Sequence, residues 1–240
     1  MVDKPFSVNA PRIDHGYARS LTKIIRVDVG SYSTLLDRAA LFQRRWRMLG
    51  PRATKAARAE ADRTLGELIA TGHGRRLWHG ALVYGLYEAA VVGGDLLVQH
   101  PGNGQELTRL QFAPAFVRRL RRQHGSERFH VAFLVVTTGD GAAAAARNLA
   151  RQGQTRDQFL LQGLSAGLTE ALAEYGQRRL PQLPGWSRIA RYSPGCPEWP
   201  NLAEQKKIFV VLRPERIGVR LTGTCQMEPE HSIAAGVLPA

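Results

Sequence analysis

The sequence predicts one α+β domain, and three observations lead there. Amphipathic helical stretches and short β-branched or aromatic runs interleave without the regular alternation of a parallel βαβ array. Glycine-bearing turns separate the apolar runs. The 240 residues suffice to bury a core without staples, and no fixed-period repeat, low-complexity block or interdomain linker divides them.

Residues 1–20, with Pro5, Pro11 and Gly16, read as a partly ordered tail, leaving 21–240 as the domain. Residues 35–49 carry Leu35, Leu36, Ala39, Phe42 and Trp46 at helical spacing and stop at Gly50-Pro51. A second helix covers 53–70, with Leu65, Leu68 and Ile69 on one side, and a turn at 72–74 follows. Residues 81–99 predict a strand, a turn at Gly93-Gly94-Asp95 and another strand. After a loop at 101–105, residues 107–112 suit a third short strand and 114–122 a helix. Residues 129–136, nearly all apolar and bounded by loops, are the clearest buried strand. The turn 137–141 leads into an alanine helix over 142–151, with Asp140 placed to cap it. The longest helix, 156–178, gathers Phe159, Leu160, Leu164, Leu168, Leu172 and Tyr175 into one stripe.

Composition removes several classes. With 44% hydrophobic and 22% charged residues, the chain is neither disordered nor fibrous. Its two cysteines, Cys196 and Cys225, make no disulfide framework and no C-x-x-C pair, so a reducing, cytoplasmic setting is expected. The first twelve residues lack the apolar core of a secretory signal. The apolar runs 81–94 and 129–136 are too short to span a bilayer, so no membrane association is expected.

The net charge is +13, of which +10 lies in residues 1–130 and +3 in 131–240. Arginine dominates, in the clusters Arg44-Arg45-Trp46-Arg47, Arg75-Arg76, Arg118-Arg119 and Arg121-Arg122. A basic face attracts polyanions. Nucleic acid is not favoured, because no helix-turn-helix, zinc-finger or aromatic RNA-binding signature accompanies the charge. An acidic protein partner docking on Arg118, Arg119, Arg121 and Arg122 needs no such motif, and a merely solvated helix face accounts for the same residues.

The search for chemistry narrows to one segment. The turn at Thr137–Gly141 has no Walker lysine and no G-x-G-x-x-G. The seven histidines are scattered, without zinc-site spacing, and no serine sits in a G-x-S-x-G elbow. Residues 191–200, R-Y-S-P-G-C-P-E-W-P, form a stiff, non-helical run whose shape is set by fixed proline φ angles. Asn201 and Glu204 resemble a capping box at a helix start, although the β-branched run 208–211 also suits a strand. An arginine at the entrance of a rigid loop can fork onto a carboxylate. It can equally be salt-bridged where a proline-rich segment crosses the core.

This run resembles the R-x-x-P-G-Y-P-x-C-P loop of the activation domain of cobalamin-dependent methionine synthase, with Arg191, Pro194, Gly195, Pro197 and Pro200 in matching places. Leu221-Thr222, Met227, Pro229 and Ser232-Ile233 resemble the family's L-T-E-S…M-x-P…S-V-S-G run. Residues 133–139 resemble its F-A-V-T-G-G strand and turn, and residues 169–175, T-E-A-L-A-E-Y, its A-E-A-F-A-E-Y helix. Cys196 stands where the family has tyrosine, and Trp199 where it has cysteine. The family's D-W-T-P-F string, whose aspartate binds S-adenosylmethionine (AdoMet), has no counterpart in the sequence.

The resemblance implies a helmet-like domain with a twisted antiparallel sheet flanked by helices. It implies AdoMet as ligand, held by Arg191, Glu170 and the loop residues Ser193, Pro194, Gly195 and Cys196. The implied role is to support reductive remethylation of cob(II)alamin, with electrons from flavodoxin. The folate, homocysteine and cobalamin modules have no counterpart in these residues. The expectation is therefore a free-standing accessory protein that meets cobalamin only through a separate corrinoid-binding methyltransferase, with a flavodoxin-like acidic protein as a further partner. The alternative is a binding or assembly protein that kept the fold, lost AdoMet and docks an acidic partner through its basic N-terminal half.

Overall fold

The computed structural model describes residues 22–125, 127–181, 183, 186 and 188–240. The expected tail over 1–20 lies outside them. Among these described residues six α-helices appear in order: α1 Arg38–Ala40, α2 Lys55–Gly74, α3 Pro114–His124, α4 Gly141–Arg151, α5 Thr155–Arg178 and α6 Gln205–Leu212. Nine strands accompany them: β1 Thr22–Val27, β2 Gly80–Val92, β3 Asp95–Gln99, β4 Glu106–Leu110, β5 Phe129–Thr137, β6 Ile189–Tyr192, β7 Arg220–Leu221, β8 Met227–Glu228 and β9 Ser232–Pro239. The expected α+β class is observed.

Seven strands form one antiparallel sheet, ordered β4-β3-β2-β5-β9-β6 with β1 also on β2. The thirteen-residue β2 is long enough to serve two partners along one edge, β1 over its first half and β3 over its last, while β5 runs along the other. The turn into β3 needs a positive φ at both Gly93 (63°) and Gly94 (113°), which glycine adopts without steric cost.

Alternate residues of the central strands feed two cores, because successive side chains leave a strand on opposite faces. Leu82, Tyr84, Leu134, Val136, Ala235 and Val237 pack under α4, α5 and Trp46. Val83, Tyr87, Phe133, Val135, Ala234 and Leu238 pack under α3, α6 and Trp199. Covering both faces explains why β2 and β5 read as continuous apolar runs rather than alternating ones.

Some expectations change. The helix expected over 35–49 is broken. Leu36 is extended, Asp37 caps α1 by accepting from the Ala40 N–H at 2.8 Å, and a π-helical turn follows at Leu41–Arg45. The wide turn seats Trp46, whose indole N–H donates to the Leu160 carbonyl at 2.9 Å. No turn interrupts 72–74, since α2 runs through to Gly74. Asp140 makes no side-chain cap on α4 and instead pairs with Arg147 at 3.2 Å. The Asn201 side chain does cap, accepting from the Ala203 N–H at 3.0 Å. Glu204 leaves the box incomplete, because it accepts from the Gln111 N–H at 2.9 Å. The 208–211 run is helical, with Ile208, Val211 and Leu212 buried on one side of α6. Strands β1, β6, β7, β8 and β9 are additions to the elements the sequence predicts.

Candidate functional site

The longest helix, α5, organises the site. Small residues on one side let a second segment lie close: a Cβ on Gly163 would meet Trp46 Cδ1 at 2.8 Å, and one on Gly167 would meet Leu36 Cδ1 at 2.8 Å. Residues 35–45 therefore rest along α5 and leave a cleft of about 420 Å³ between them. One wall carries Asp37, Arg44 and Arg45, the other Glu170 and Glu174, and Arg191 closes the third side. The volume is in the range of small-molecule sites.

Arg191 reaches the cleft because of strand alternation. Strand β6 pairs antiparallel with β9, setting Arg191 opposite Val237 and Tyr192 opposite Gly236. Val237 faces the α5 side, so Arg191 does too, and its Nη2 lies 3.1 Å from Glu170 Oε2. Its Nη1 stands 3.4 Å from Gln177 Oε1 and 3.8 Å from Glu174 Oε2. Tyr192 turns to the opposite face and accepts a hydrogen bond from Arg119 Nη2 at 2.8 Å. A guanidinium with 20% side-chain exposure beside two carboxylates of α5 can match a zwitterion of ammonium and carboxylate.

Of the residues the resemblance names, the fold joins Arg191 and Glu170 directly. Ser193, Pro194, Gly195 and Cys196 lie outside the cleft lining. They form a turn closed by Gly195 N–H to Trp199 O at 2.7 Å and Cys196 N–H to Ser193 O at 3.0 Å. Gly195 holds φ 100° there. Trp199 anchors this turn on the other face, fully buried and stacked on Phe112 at 4.3 Å. Arg118, Arg121 and Arg122 are exposed on α3, whereas Arg119 is half-buried between Phe116 and Tyr192.

Sequence reasoning missed Asp37, Glu174 and Gln177. The last two were within reach, since residues 170, 174 and 177 share a helical face. Asp37 carries a weaker signal, an acidic residue before a helix start.

The fold is an α+β arrangement in which helices cover both faces of a seven-stranded antiparallel sheet, with a charged cleft along α5. No protein-family model matches the chain. It is 30% identical to methionine synthase of Mycobacterium tuberculosis over 259 aligned positions, 88% of this chain and 21% of that protein. With methionine synthase of Mycobacterium leprae the identity is 29% over the same shares. The chain thus spans about a fifth of the length of these relatives. Among solved structures, the MetH reactivation domain bound to AdoHcy superposes with a TM-score of 0.74 at 18% identity, covering 91% of this chain and 78% of that one. The chain is a homologue of the methionine synthase activation domain.

Proposed function

We propose that the cleft between α5 and residues 35–45 binds AdoMet and that the domain supports reductive reactivation of a cobalamin-dependent methyltransferase, with the corrinoid carried on a partner protein. The apposition of Arg191 and Glu170 at 3.1 Å carries this reading, because it sets a carboxylate-binding guanidinium beside an ammonium-binding carboxylate. Asp37 supports it further, supplying from the opposite wall the aspartate whose D-W-T-P-F context is missing. AdoMet, when bound, supplies the methyl group; Arg191 and Glu170 hold and orient its amino-acid end, while Asp37 adds negative charge facing the sulfonium. The AdoHcy held by the similar reactivation domain belongs to the same ligand class.

Calorimetric titration with AdoMet and AdoHcy tests the ligand. The native chain should bind both, and Arg191→Ala should weaken both by about tenfold or more, since each 1.4 kcal/mol is a factor of ten. Absence of heat at millimolar ligand overturns the reading.

A second reading concerns the partner. Arg118, Arg121 and Arg122 form an exposed basic face on α3, and none of the three has an ion pair among the described residues. We assign this face to an acidic protein surface. Reversing the three charges to glutamate should abolish capture of a flavodoxin-like acidic protein, and native capture should fade as salt rises, because exposed charges are screened beyond about 8 Å at physiological ionic strength. Capture insensitive to both changes excludes it. No helix among the described residues is long and apolar enough to cross a membrane.

A further inference from the structure

We propose that Glu174 and Gln177 are positioning residues that hold one end of the Arg191 guanidinium, leaving its other end to exchange Glu170 for the carboxylate of the incoming ligand. The inference rests on the AdoMet reading above and names the groups that make the site selective for an amino-acid tail.

The two terminal nitrogens of Arg191 have different surroundings. Nη1 faces Gln177 Oε1 at 3.4 Å and Glu174 Oε2 at 3.8 Å, whereas Nη2 faces Glu170 Oε2 at 3.1 Å. Residues 170, 174 and 177 lie on one stripe of α5, so the helix presents all three acceptors to one planar cation. Their freedom differs. Glu174 is held at both oxygens, because its Oε1 accepts from Arg178 Nε at 2.8 Å while Oε2 faces Arg191. Glu170 has 52% side-chain exposure against 36% for Glu174, and among the described residues it has no partner other than Arg191.

A fixed acceptor on Nη1 and a free one on Nη2 make an oriented fork. The ligand carboxylate takes Nη2, and the released Glu170 turns to the ammonium group a few ångströms along the same tail. No charge is left unpaired in the exchange: the zwitterion brings one carboxylate for the arginine and one ammonium for the glutamate. Without Glu174 and Gln177 the arginine keeps its charge and loses its direction, which weakens recognition of a planar carboxylate.

The experiment is calorimetry on the full chain with AdoMet and with 5′-methylthioadenosine, which has the same nucleoside and a methylated sulfur but neither the sulfonium charge nor the amino-acid tail. Glu174→Ala should weaken AdoMet by about tenfold, the effect of losing one charge-assisted contact, and leave methylthioadenosine unchanged. Adding Gln177→Glu to that variant should restore most of the loss by returning a carboxylate to Nη1. In the Arg191→Ala background, Glu174→Ala should have no further effect. If native protein binds AdoMet and Glu174→Ala binds it equally well, the positioning role is wrong and the AdoMet reading stands. Equal weakening of both ligands, or additive losses with Arg191→Ala, also overturns it. If native protein binds neither ligand, the AdoMet reading fails and this inference fails with it.

Discussion

The indole N–H of Trp78 donates to Ser165 Oγ at 3.0 Å and fastens the segment after α2 to the middle of α5. Both residues are buried, and the Ser165 hydroxyl donates in turn to the Leu161 carbonyl at 2.8 Å, so neither polar group is orphaned. The ring can lie there because Gly72 of α2 has no side chain.

That contact decides the sign of one substitution. Alanine at an exposed helical glycine gains up to about 1 kcal/mol in propensity. A Cβ on Gly72, however, would stand 2.1 Å from Trp78 Cζ3, whereas one on Gly66 of the same helix meets nothing within 4 Å. Gly72→Ala should therefore destabilise by roughly 1–3 kcal/mol through overpacking, and Gly66→Ala should stabilise by roughly 0.5–1 kcal/mol. Urea unfolding of the two variants checks this; midpoints moving in the same direction would contradict it.

Glu204 is 3% exposed, accepts from the Gln111 N–H and pairs with Lys207 Nζ at 2.6 Å. It ties the start of α6 to the chain following β4. Glu204→Ala should cost about 2 kcal/mol, less than a wholly buried pair would, because Lys207 can turn to solvent. Glu204→Gln, which keeps an acceptor for the Gln111 amide, should cost less. Equal losses in thermal melts would show that the amide contact contributes nothing.

The buried His231 gives the stability a pH dependence. Burial lowers the imidazole pKa from its ordinary 6.5, against the opposing pull of Glu230 and Asp140. Below about pH 6.5 the unfolded chain takes up this proton more readily than the folded one, so stability falls as the pH drops through that value and on through the lowered folded pKa. The melting temperature of native protein should decline more steeply from pH 7.5 to 5 than that of His231→Gln. Parallel curves for the two proteins would rule the histidine out as the source.

At the site, Glu170→Gln separates ligand recognition from stability. The pair with Arg191 is half exposed on the glutamate side, and exposed pairs contribute about 0–1 kcal/mol. The melting temperature should barely change, while AdoMet binding should weaken by roughly tenfold for the loss of a charge-assisted contact to the ammonium group. A large fall in melting temperature with unchanged binding would reverse that assignment.

How much could be read in advance depended on local density of signal. Strands β2 and β5 and helix α5 were legible because each buries a long apolar run with its own periodicity. Strand β9, S-I-A-A-G-V-L-P, is built largely of small residues and gains its strand identity only by lying between β5 and β6. Four-residue β6 likewise exists through its pairing with β9. Arg191 and Glu170 were found through resemblance to a family. Asp37 was not, because it reaches the cleft through the break at Leu36 and the close seat over Gly167.

The sequence by itself determined the α+β class and its longest buried elements, which follow from periodicity and composition, and through a motif resemblance it singled out Arg191 and Glu170. Tertiary structure alone decided that the two meet. Arg191 and Glu170 are joined, and Tyr192 is sent to Arg119 on the other side, because strand alternation sends consecutive residues of β6 to opposite faces of the sheet. That choice depends on the register of β6 against β9. Register is a property of pairing between strands distant in sequence, and a one-residue slip would have sent Arg191 to the other side.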